Sequence, residues 1–379
     1  MEIIKKRFHQ FCVLIKYLYS KLISKFIHEE KYNELWIITE RGTDARDNGF
    51  CFYRYIKDNY PNINVMYVIN RESSDFKKFN SNDYLIEYGS IQHYIAILKA
   101  KYLISTHVMG FTPEINFFMK LDKLKILSLN GKKVFLQHGI TKDKANFDYT
   151  IDLIISGAKP EFEYLKTLYP KKNIQYTGFS RFDNLKSYDG NYILVMPTWR
   201  LYLNSEKAFL NSNYLRTYQS LVSNKKLNDI LLEKNLKLLF YPHHEIQKYI
   251  SNFKTHLSNI EICDTKKYDV AKLLMHTKLL ITDYSSVYFD VAYIEKPVIY
   301  YHFDIKEYRS KHYQEGYFDY KRDGFGPIVE SEELLIEMIQ KYIQNNFKVE
   351  NEYLRRTNCF FELRDKNNNK RILDEIEKL

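Results

Sequence analysis

Short apolar runs alternate with longer segments along the first half of the chain. The runs are rich in Ile, Leu, Val and Tyr, and the segments between them are long enough to form helices. The runs occupy residues 35–39, 62–69, 83–89, 101–106, 132–139, 152–157 and 174–178. Strands that alternate with helices are typical of a parallel sheet covered on both faces. The first half therefore predicts a Rossmann-like α/β domain.

The same alternation restarts after the polar stretch SRFDNLKSYDGN. Apolar runs then occupy residues 191–199, 236–244, 260–264, 278–283 and 297–301. A chain of 379 residues also exceeds the usual size of one domain. We therefore predict two doubly wound Rossmann-like α/β domains, residues 29–185 and 186–350, that face each other across a cleft. Residues 351–379 are predicted to form helices that pack back across the domains.

Residues 1–28 mix basic and apolar side chains at near-helical spacing, which predicts a basic amphipathic helix. Such a helix can lie in the interface of an anionic bilayer. It can equally pack its apolar stripe on the first domain, and the sequence leaves both interpretations open. The basic residues of this segment are Lys5, Lys6, Arg7, Lys16, Lys21 and Lys25.

The net charge of +10 and the pI of about 9.0 favour binding partners that carry negative charge. This balance suits anionic partners such as nucleotides, phosphorylated polymers, nucleic acid or an acidic membrane face. The lysines are dispersed and follow no RNP-like or helix-turn-helix pattern, which argues against nucleic acid. An alternative from a different functional class is a protein that binds membrane or nucleic acid through its basic charge.

The four cysteines are scattered and form no CxxC pair, so they suggest neither a zinc site nor a disulfide framework. This pattern fits a reducing cytoplasm. The sequence also shows no run of 18 or more uncharged apolar residues and no cleavable leader. We therefore expect a cytoplasmic protein that is neither membrane-spanning nor secreted.

Several polar residues directly follow predicted strands, where open α/β sheets bind their ligands. His138 comes after the run KVFL, and we expect Gly139 to let the backbone turn sharply behind it. An imidazole there could act as a general base on a hydroxyl, or it could be structural. The alternatives stay open at this stage.

The second domain repeats this placement. Thr198 and Arg200 follow the run ILVMP, and His243 follows LLFYP. Arg200 could clamp a phosphate through two parallel hydrogen bonds, or it could form an internal salt bridge. His243 could neutralise charge on a leaving phosphate, or it could be part of a turn.

The stretch LLITDYSSVYFDVAYIEKPVIYY, residues 279–301, predicts a strand, a loop and a helix that begins near Ser285 and Ser286. A serine at this position often caps the helix. The free N–H groups of a helix N-terminus also suit a phosphate or diphosphate. Asp290, one turn into the helix, could accept a hydrogen bond from a substrate hydroxyl or remain solvated.

No motif for a metal or a nucleotide cofactor is visible. The sequence contains no DxD, GxGxxG, P-loop or GxSxG pattern. A metal site at His243, His244 and Glu245 is disfavoured because adjacent residues rarely face one ion. We therefore predict no metal and no cofactor.

Six motifs stand in a particular order: LQHGITKD, TGFSRFDNL, PTWR, YPHHE, ITDYSSVYFDVAYIEKPVIYY and, last, GYFDY with GFGP. Together they resemble the CDP-glycerol glycerophosphotransferase family of teichoic-acid and capsule polymerases, over roughly residues 100–370. The DYSS block is the most specific part of this match. The resemblance implies a fold of the glycosyltransferase B (GT-B) type, with the nucleotide in the C-terminal domain and the acceptor mainly in the N-terminal one.

The resemblance implies that His138 and His243 are the catalytic pair. It also implies that Ser285, Ser286 and Asp290 bind the donor diphosphate and the polyol phosphate. Including the strand-end residues around these motifs, the predicted substrate-binding residues are Gly139, Arg181, Thr198, Arg200, Thr282, Asp283, Ser285, Ser286 and Asp290.

The expected activity is transfer of glycerol phosphate or ribitol phosphate from CDP-glycerol or CDP-ribitol to a hydroxyl of a teichoic-acid or capsular polymer, or a lipid-linked acceptor, with release of CMP. The expected location is the inner face of the cell membrane. The alternative within the same fold is a nucleotide-sugar glycosyltransferase in cell-surface polysaccharide synthesis.

Overall fold

The computed structural model describes residues 2–124, 126–144, 149–264 and 267–379, with side chains from Arg7 onward. The chain divides into two compact units. The first unit comprises Met1–His138, Phe147–Asn184 and Leu363–Leu379. The second unit comprises Gly139–Asn146 and Leu185–Glu362.

The first unit is built on a seven-stranded parallel sheet, ordered β3-β2-β1-β4-β5-β6-β7. Its strands are β1 (Trp36–Thr39), β2 (Val65–Val68), β3 (Leu85–Ile86), β4 (Tyr102–Ser105), β5 (Lys132–Phe135), β6 (Leu153–Ser156) and β7 (Ile174–Tyr176). All four residues of β1, β2, β4 and β6 are buried, as expected of strands covered on both faces. The strand order reverses between β1 and β4, where such sheets bind ligands.

Within the described residues, six α-helices belong to this unit. They are α1 (Glu2–Ser24), α2 (Asn48–Asn59), α3 (Ile91–Lys99), α4 (Ile115–Lys123), α5 (Lys159–Leu168) and, from the end of the chain, α16 (Asn368–Glu377). The last helix is fixed to the short 3-10 helix Ser180–Asp183, because Asp183 accepts hydrogen bonds from the backbone of Asn368 and Asn369.

Helix α1 packs one face on the first unit and exposes the other. Tyr17 is buried, its hydroxyl donates to the carbonyl of Ser128, and its ring contacts Tyr94 and Phe118. The opposite face carries large apolar side chains, among them Phe8, Phe11 and Leu22, which are exposed by 69%, 57% and 59%. Phe26, just beyond the end of the helix, is 77% exposed. Across the described parts of the chain, no helix combines the length and apolar character needed to cross a bilayer.

The second unit is built on a six-stranded parallel sheet, ordered β10-β9-β8-β11-β12-β13. Its strands are β8 (Tyr192–Met196), β9 (Lys237–Phe240), β10 (Ile260–Ile262), β11 (Leu279–Thr282), β12 (Val298–Tyr301) and β13 (Ile328–Val329). The sequence pattern indicates all of these except β13, whose two residues are too few to form a recognisable apolar run.

The helices of the second unit lie between and after these strands. They are α6 (Glu206–Leu210), α7 (Asn213–Val222), α8 (Lys225–Glu233), α9 (His244–Gln247), α10 (Val270–His276), α11 (Val287–Tyr293), α12 (Ile305–Lys311), α13 (Tyr320–Asp323), α14 (Glu332–Gln344) and α15 (Asn351–Phe360). Helix α11 is short but firmly held, because its side chains from Tyr288 to Tyr293 are buried. Phe289 packs on Phe325 and Phe360.

The observed division of the chain differs in places from the predicted domains. The main boundary lies between Asn184 and Leu185, one residue before the predicted one. The segment 139–146 belongs to the second unit although its neighbours in sequence belong to the first. The C-terminal segment is divided, because α15 belongs to the second unit and Leu363–Leu379 belongs to the first.

Candidate functional site

The carboxyl ends of β1, β4 and β5 are neighbours in the first sheet and carry the polar residues of the first unit. Glu40 directly follows β1, His107 lies two residues beyond β4, and His138 lies three residues beyond β5. Parallel strands end at the same edge of a sheet, so these side chains come from one edge. The predicted catalytic His138 is therefore part of a larger polar group.

The backbone turn before His138 is made by Gln137 and not by Gly139. Gln137 has φ = 55°, in the left-handed region that costs a non-glycine residue about 1 kcal/mol or more. Its side-chain amide donates to the carbonyl of Ile155, and its own carbonyl accepts from the Asn48 amide. These buried bonds hold the strained turn. Gly139, on the other side of His138, does not adopt a positive φ, so its backbone conformation is one that other residues can also adopt.

The ring of His138 is held by the residues after β4. The backbone carbonyl of Thr106 accepts a hydrogen bond from the His138 imidazole. The hydroxyl of the same threonine lies 2.9 Å from Nδ1 of His107. The two imidazoles stack with their centroids 4.4 Å apart and their planes 16° from parallel. His107 is thus a site residue that the sequence reasoning missed.

The charges around His138 keep it neutral more readily than a free histidine. Solvent reaches the side chain, yet the surrounding protein desolvates the ring and lowers its pKa. Arg41 and the predicted Arg181 lower this pKa further, whereas Asp47 and the bond to Thr106 raise it. Arg181 lies close by, since its guanidinium donates to Asp47 at 3.0 Å and to the His138 carbonyl at 3.3 Å.

The buried side chain of Glu40 lies at the N-terminus of α2. Its carboxylate accepts hydrogen bonds from the backbone of Arg46, Asp47 and Phe50. Desolvation by burial, with a contribution from Asp47, raises the pKa of Glu40 to about 7. Because these N–H groups already bind a carboxylate, the start of α2 is not available to an anionic ligand.

The second unit presents its polar residues at the carboxyl ends of β8, β9 and β11. Arg200, after β8, is fully buried. It donates to Asp304 at 2.8 and 3.0 Å, to Asp283 at 2.9 Å and to the carbonyl of Thr198 at 2.7 Å. Its guanidinium also lies over the rings of Tyr284 and Tyr308. The prediction that Arg200 clamps a phosphate is therefore wrong, because protein groups use its donors and burial hides it.

Three other predicted binding residues are also turned inward. Thr282 donates its hydroxyl to the carbonyl of Met196, and Asp283 accepts from Arg200 and from the backbone of Thr198. Both are buried. Asp290 is buried on α11 and has partners within the protein, so it is not a solvated helix carboxylate.

The two serines before α11 remain half-buried. Ser286 precedes the first residue of the helix, but its side chain makes no capping hydrogen bond. A methyl group on Gly139 would lie 3.1 Å from Oγ of Ser286, closer than ordinary van der Waals contact. Gly139 thus lies directly beside this hydroxyl, and the two predicted residues lie together within the second unit.

His243 also lies in this unit, half-buried at the start of α9. Its Nδ1 accepts a hydrogen bond from the backbone of Glu245 at 3.3 Å, which leaves Nε2 to carry the proton of the neutral ring. The ring stacks on Trp199 with a centroid distance of 6.2 Å. His243 is therefore fixed beyond the carboxyl end of β9, with Nδ1 turned toward its own helix.

Two buried polar atoms near Trp199 have no hydrogen-bond partner within the described residues. They are the hydroxyl of Thr198 and Nε2 of His312. Nδ1 of His312 accepts from the backbone of Leu201, so Nε2 carries the hydrogen. Burial lowers the pKa of His312 to about 4, and Arg200 contributes to this. Buried polar groups without a protein partner are rare, so these two atoms are candidate contacts for a ligand.

A further cation lies close to this region and was also missed. Lys142 is buried, forms an ion pair with Asp143, and has its pKa lowered chiefly by desolvation. Arg309 donates to the same carboxylate at 2.6 Å. The signal available in the sequence was the position of Lys142 within the motif LQHGITKD. Over the described residues, no group of three His, Cys, Asp or Glu side chains is placed to hold a metal ion.

Comparison with known proteins gives consistent results. The family model for CDP-glycerol:poly(glycerophosphate) glycerophosphotransferase matches residues 21–378. The minor teichoic acid biosynthesis protein GgaB of Bacillus subtilis (strain 168) is 32% identical over 366 residues, which are 91% of this chain and 40% of GgaB. The teichoic acid glycerol-phosphate transferase of Staphylococcus aureus (strain NCTC 8325 / PS 47) is 21% identical over 91% of both chains.

The fold also matches a solved structure. The wall teichoic acid polymerase TagF is 18% identical, with a TM-score of 0.68 over 98% of each chain. This likeness and the two parallel-sheet units fit an α/β fold of the GT-B kind. The chain spans about two-fifths of the length of GgaB and of the teichoic acid poly(glycerol phosphate) polymerase of Bacillus subtilis (strain 168). Because the family model covers nearly all of its residues, the chain belongs to the CDP-glycerol:poly(glycerophosphate) glycerophosphotransferase family.

Proposed function

We propose that the chain transfers glycerol phosphate or ribitol phosphate from its CDP-activated form to a hydroxyl of a teichoic-acid or capsular polymer and releases CMP. Family membership supports the reaction class. Relatives named as glycerol-phosphate transferases and as a poly(ribitol-phosphate) polymerase support the two candidate donors. The chemistry needs no metal and no cofactor besides the donor substrate.

The observation that carries the proposal is the way His138 is held. The residue lies three positions beyond β5 at the carboxyl edge of the first sheet, its ring stacks on His107, and solvent reaches the side chain. The lowered pKa keeps the ring unprotonated at neutral pH. These are the properties of a general base for an acceptor hydroxyl.

The donor groups of the second unit suit a diphosphate. His243 presents its Nε2–H, and Ser285 and Ser286 offer hydroxyl groups. The hydroxyl of Thr198 and Nε2 of His312 lack protein partners among the described residues and could bind the same ligand. Hydrogen bonds from such fixed donors strengthen as charge moves onto a leaving group.

The proposed step is an in-line displacement at the β-phosphorus. His138 removes the proton of the acceptor hydroxyl, and the hydroxyl oxygen forms a bond to the β-phosphorus. The bond between this phosphorus and the bridging oxygen breaks, and its electron pair leaves with CMP. His243 and the two serines hold the phosphates while the charge develops on CMP.

The test is incubation of the purified protein with CDP-glycerol or CDP-ribitol and a teichoic-acid acceptor, with CMP and new phosphodiester measured. Replacing His138 by Ala should lower kcat by about a hundredfold or more, because general-base catalysis contributes that much. Donor affinity should remain nearly unchanged. The matched control is His256→Ala, an exposed histidine of the second unit.

Two results would contradict the proposal. Unchanged turnover in the His138→Ala variant would remove the assigned base. Release of UDP or another nucleoside diphosphate from a nucleotide sugar, without turnover of either CDP-alditol, would favour the glycosyltransferase alternative.

We further propose that the exposed face of α1 contacts an anionic membrane surface on the cytoplasmic side. The apolar side chains of Phe8, Phe11 and Leu22 are exposed on α1, and that of Phe26 is exposed just beyond the end of the helix. Lys25 and the exposed Lys16 and Lys21 add positive charge. The side chains of Lys5 and Lys6 lie outside the described residues. Apolar and basic groups on one exposed helix suit an anionic interface.

A further inference from the structure

His107 and His138 form a stacked imidazole pair that is unlike the other aromatic contacts of the first sheet edge. The ring centroids are 4.4 Å apart and the planes differ by 16°. The chain reaches this arrangement from two neighbouring strands, β4 and β5. The two rings lie only two and three residues beyond the ends of these strands.

Thr106 ties both rings to the same backbone position. Its carbonyl accepts from His138, and its hydroxyl bonds Nδ1 of His107. Thr106 is fully buried, and the adjacent Ser105 hydroxyl donates to the carbonyl of His107 at 2.7 Å. The ring and the backbone carbonyl of His107 are thus both held by hydrogen bonds.

The charged groups that face this pair come from three elements. Arg41 follows β1, Asp47 precedes α2, and Arg181 lies in the short helix Ser180–Asp183. Burial, the neighbouring His138 and Arg41 lower the pKa of His107 to about 2. His107 therefore stays neutral at every pH at which the protein is expected to work, and it cannot itself exchange protons with the acceptor.

We infer that His107 is a positioning residue, which holds the His138 ring in the plane needed for proton transfer and stabilises the imidazolium that forms there. The inference rests on the proposed function of His138. A neutral aromatic face beside a cation is attractive, whereas a second cation would repel it. A ring displaced by about 1 Å can lower a rate by about a hundredfold.

The test compares His107→Ala and His107→Phe with wild type in steady-state kinetics across pH 5–9. The Ala variant removes the stacked face, and we expect kcat to fall about 10- to 100-fold while the KM for the CDP-alditol changes less than threefold. The Phe variant restores an aromatic face, so it should recover at least half of the decrease in log kcat. Met109→Ala, an exposed change in the same loop, is the control.

A second measurement does not need turnover. NMR of ¹⁵N-labelled histidine should show one tautomer of His138 in wild type and in His107→Phe, and averaged tautomers in His107→Ala. Equal kcat in all variants, or a single tautomer retained in His107→Ala, would overturn the inference. If wild type itself turns over neither CDP-alditol, the proposed function fails, while the tautomer measurement still decides whether His107 orders His138.

Discussion

Replacing Arg200 by Met should destabilise the second unit severely rather than weaken donor binding. Arg200 is fully buried, and its guanidinium joins the carboxylates of Asp283 and Asp304. Methionine preserves much of the side-chain volume but removes the charge and the donors. The two carboxylates would then lie buried with no cation between them, although hydroxyl groups of Tyr218 and Tyr284 still donate to them.

The magnitude follows from the kind of pair that is broken. Removing one partner of a buried ion pair costs about 3–5 kcal/mol, since the remaining charge stays buried without compensation. This reduces the ratio of folded to unfolded second unit by about two to four orders of magnitude. Exposed ion pairs contribute at most about 1 kcal/mol.

The two tryptophans allow the unfolding of each unit to be followed separately. Trp36 lies in β1 of the first unit, and Trp199 directly precedes Arg200 in the second. Urea unfolding in a Trp36→Phe background therefore reports on the second unit. The control is Arg322→Met, whose arginine side chain is 68% exposed and pairs with Asp323. If Arg200→Met unfolds with the control and instead raises the KM for the CDP-alditol, the internal role of Arg200 is refuted.

Two further predictions concern Gly139 and α1. Gly139→Ala should raise the KM for the CDP-alditol because the new methyl displaces the Ser286 hydroxyl. Adding Ser286→Ala should then raise the KM by a smaller factor than Ser286→Ala does alone. Additive effects on the KM would contradict the contact. Replacing Phe11 and Leu22 by Ser should reduce cosedimentation with anionic vesicles but not change binding to zwitterionic ones. The control is Leu232→Ser, which changes an exposed residue of α8. Equal vesicle binding by all variants would exclude this face of α1.

The alternation of apolar runs predicts most of the fold because parallel strands are buried on both faces. Runs such as WIIT in β1 and LLIT in β11 are apolar at every or nearly every position, and turns and helices separate them. The return of the chain to the first unit at Leu363 has no comparable signal. It depends on side-chain bonds such as those of Asp183 to Asn368 and Asn369, whose partners are far apart in sequence.

The sequence shows which polar residues follow strands but does not show which way their side chains turn. The rule that ligands bind beyond the carboxyl ends of strands selected His138, His243 and the two serines. It also selected Arg200, because a polar residue after a buried strand can turn toward a ligand or into the protein. Sequence spacing does not distinguish these outcomes. The decision depends on whether buried partners of opposite charge are available, as Asp283 and Asp304 are for Arg200.

The same reasoning explains why a strained residue stands before His138. A glycine at position 137 would adopt φ = 55° without steric cost, but it would lack the amide that bonds to Ile155. Glutamine pays the conformational cost and gains a buried anchor, which fixes where the following residue leaves the sheet. Since His138 must meet Thr106 and His107 to within hydrogen-bonding and stacking distance, a rigid turn is more useful here than a relaxed one. Backbone strain at Gln137 is therefore best understood as part of the arrangement that orients His138.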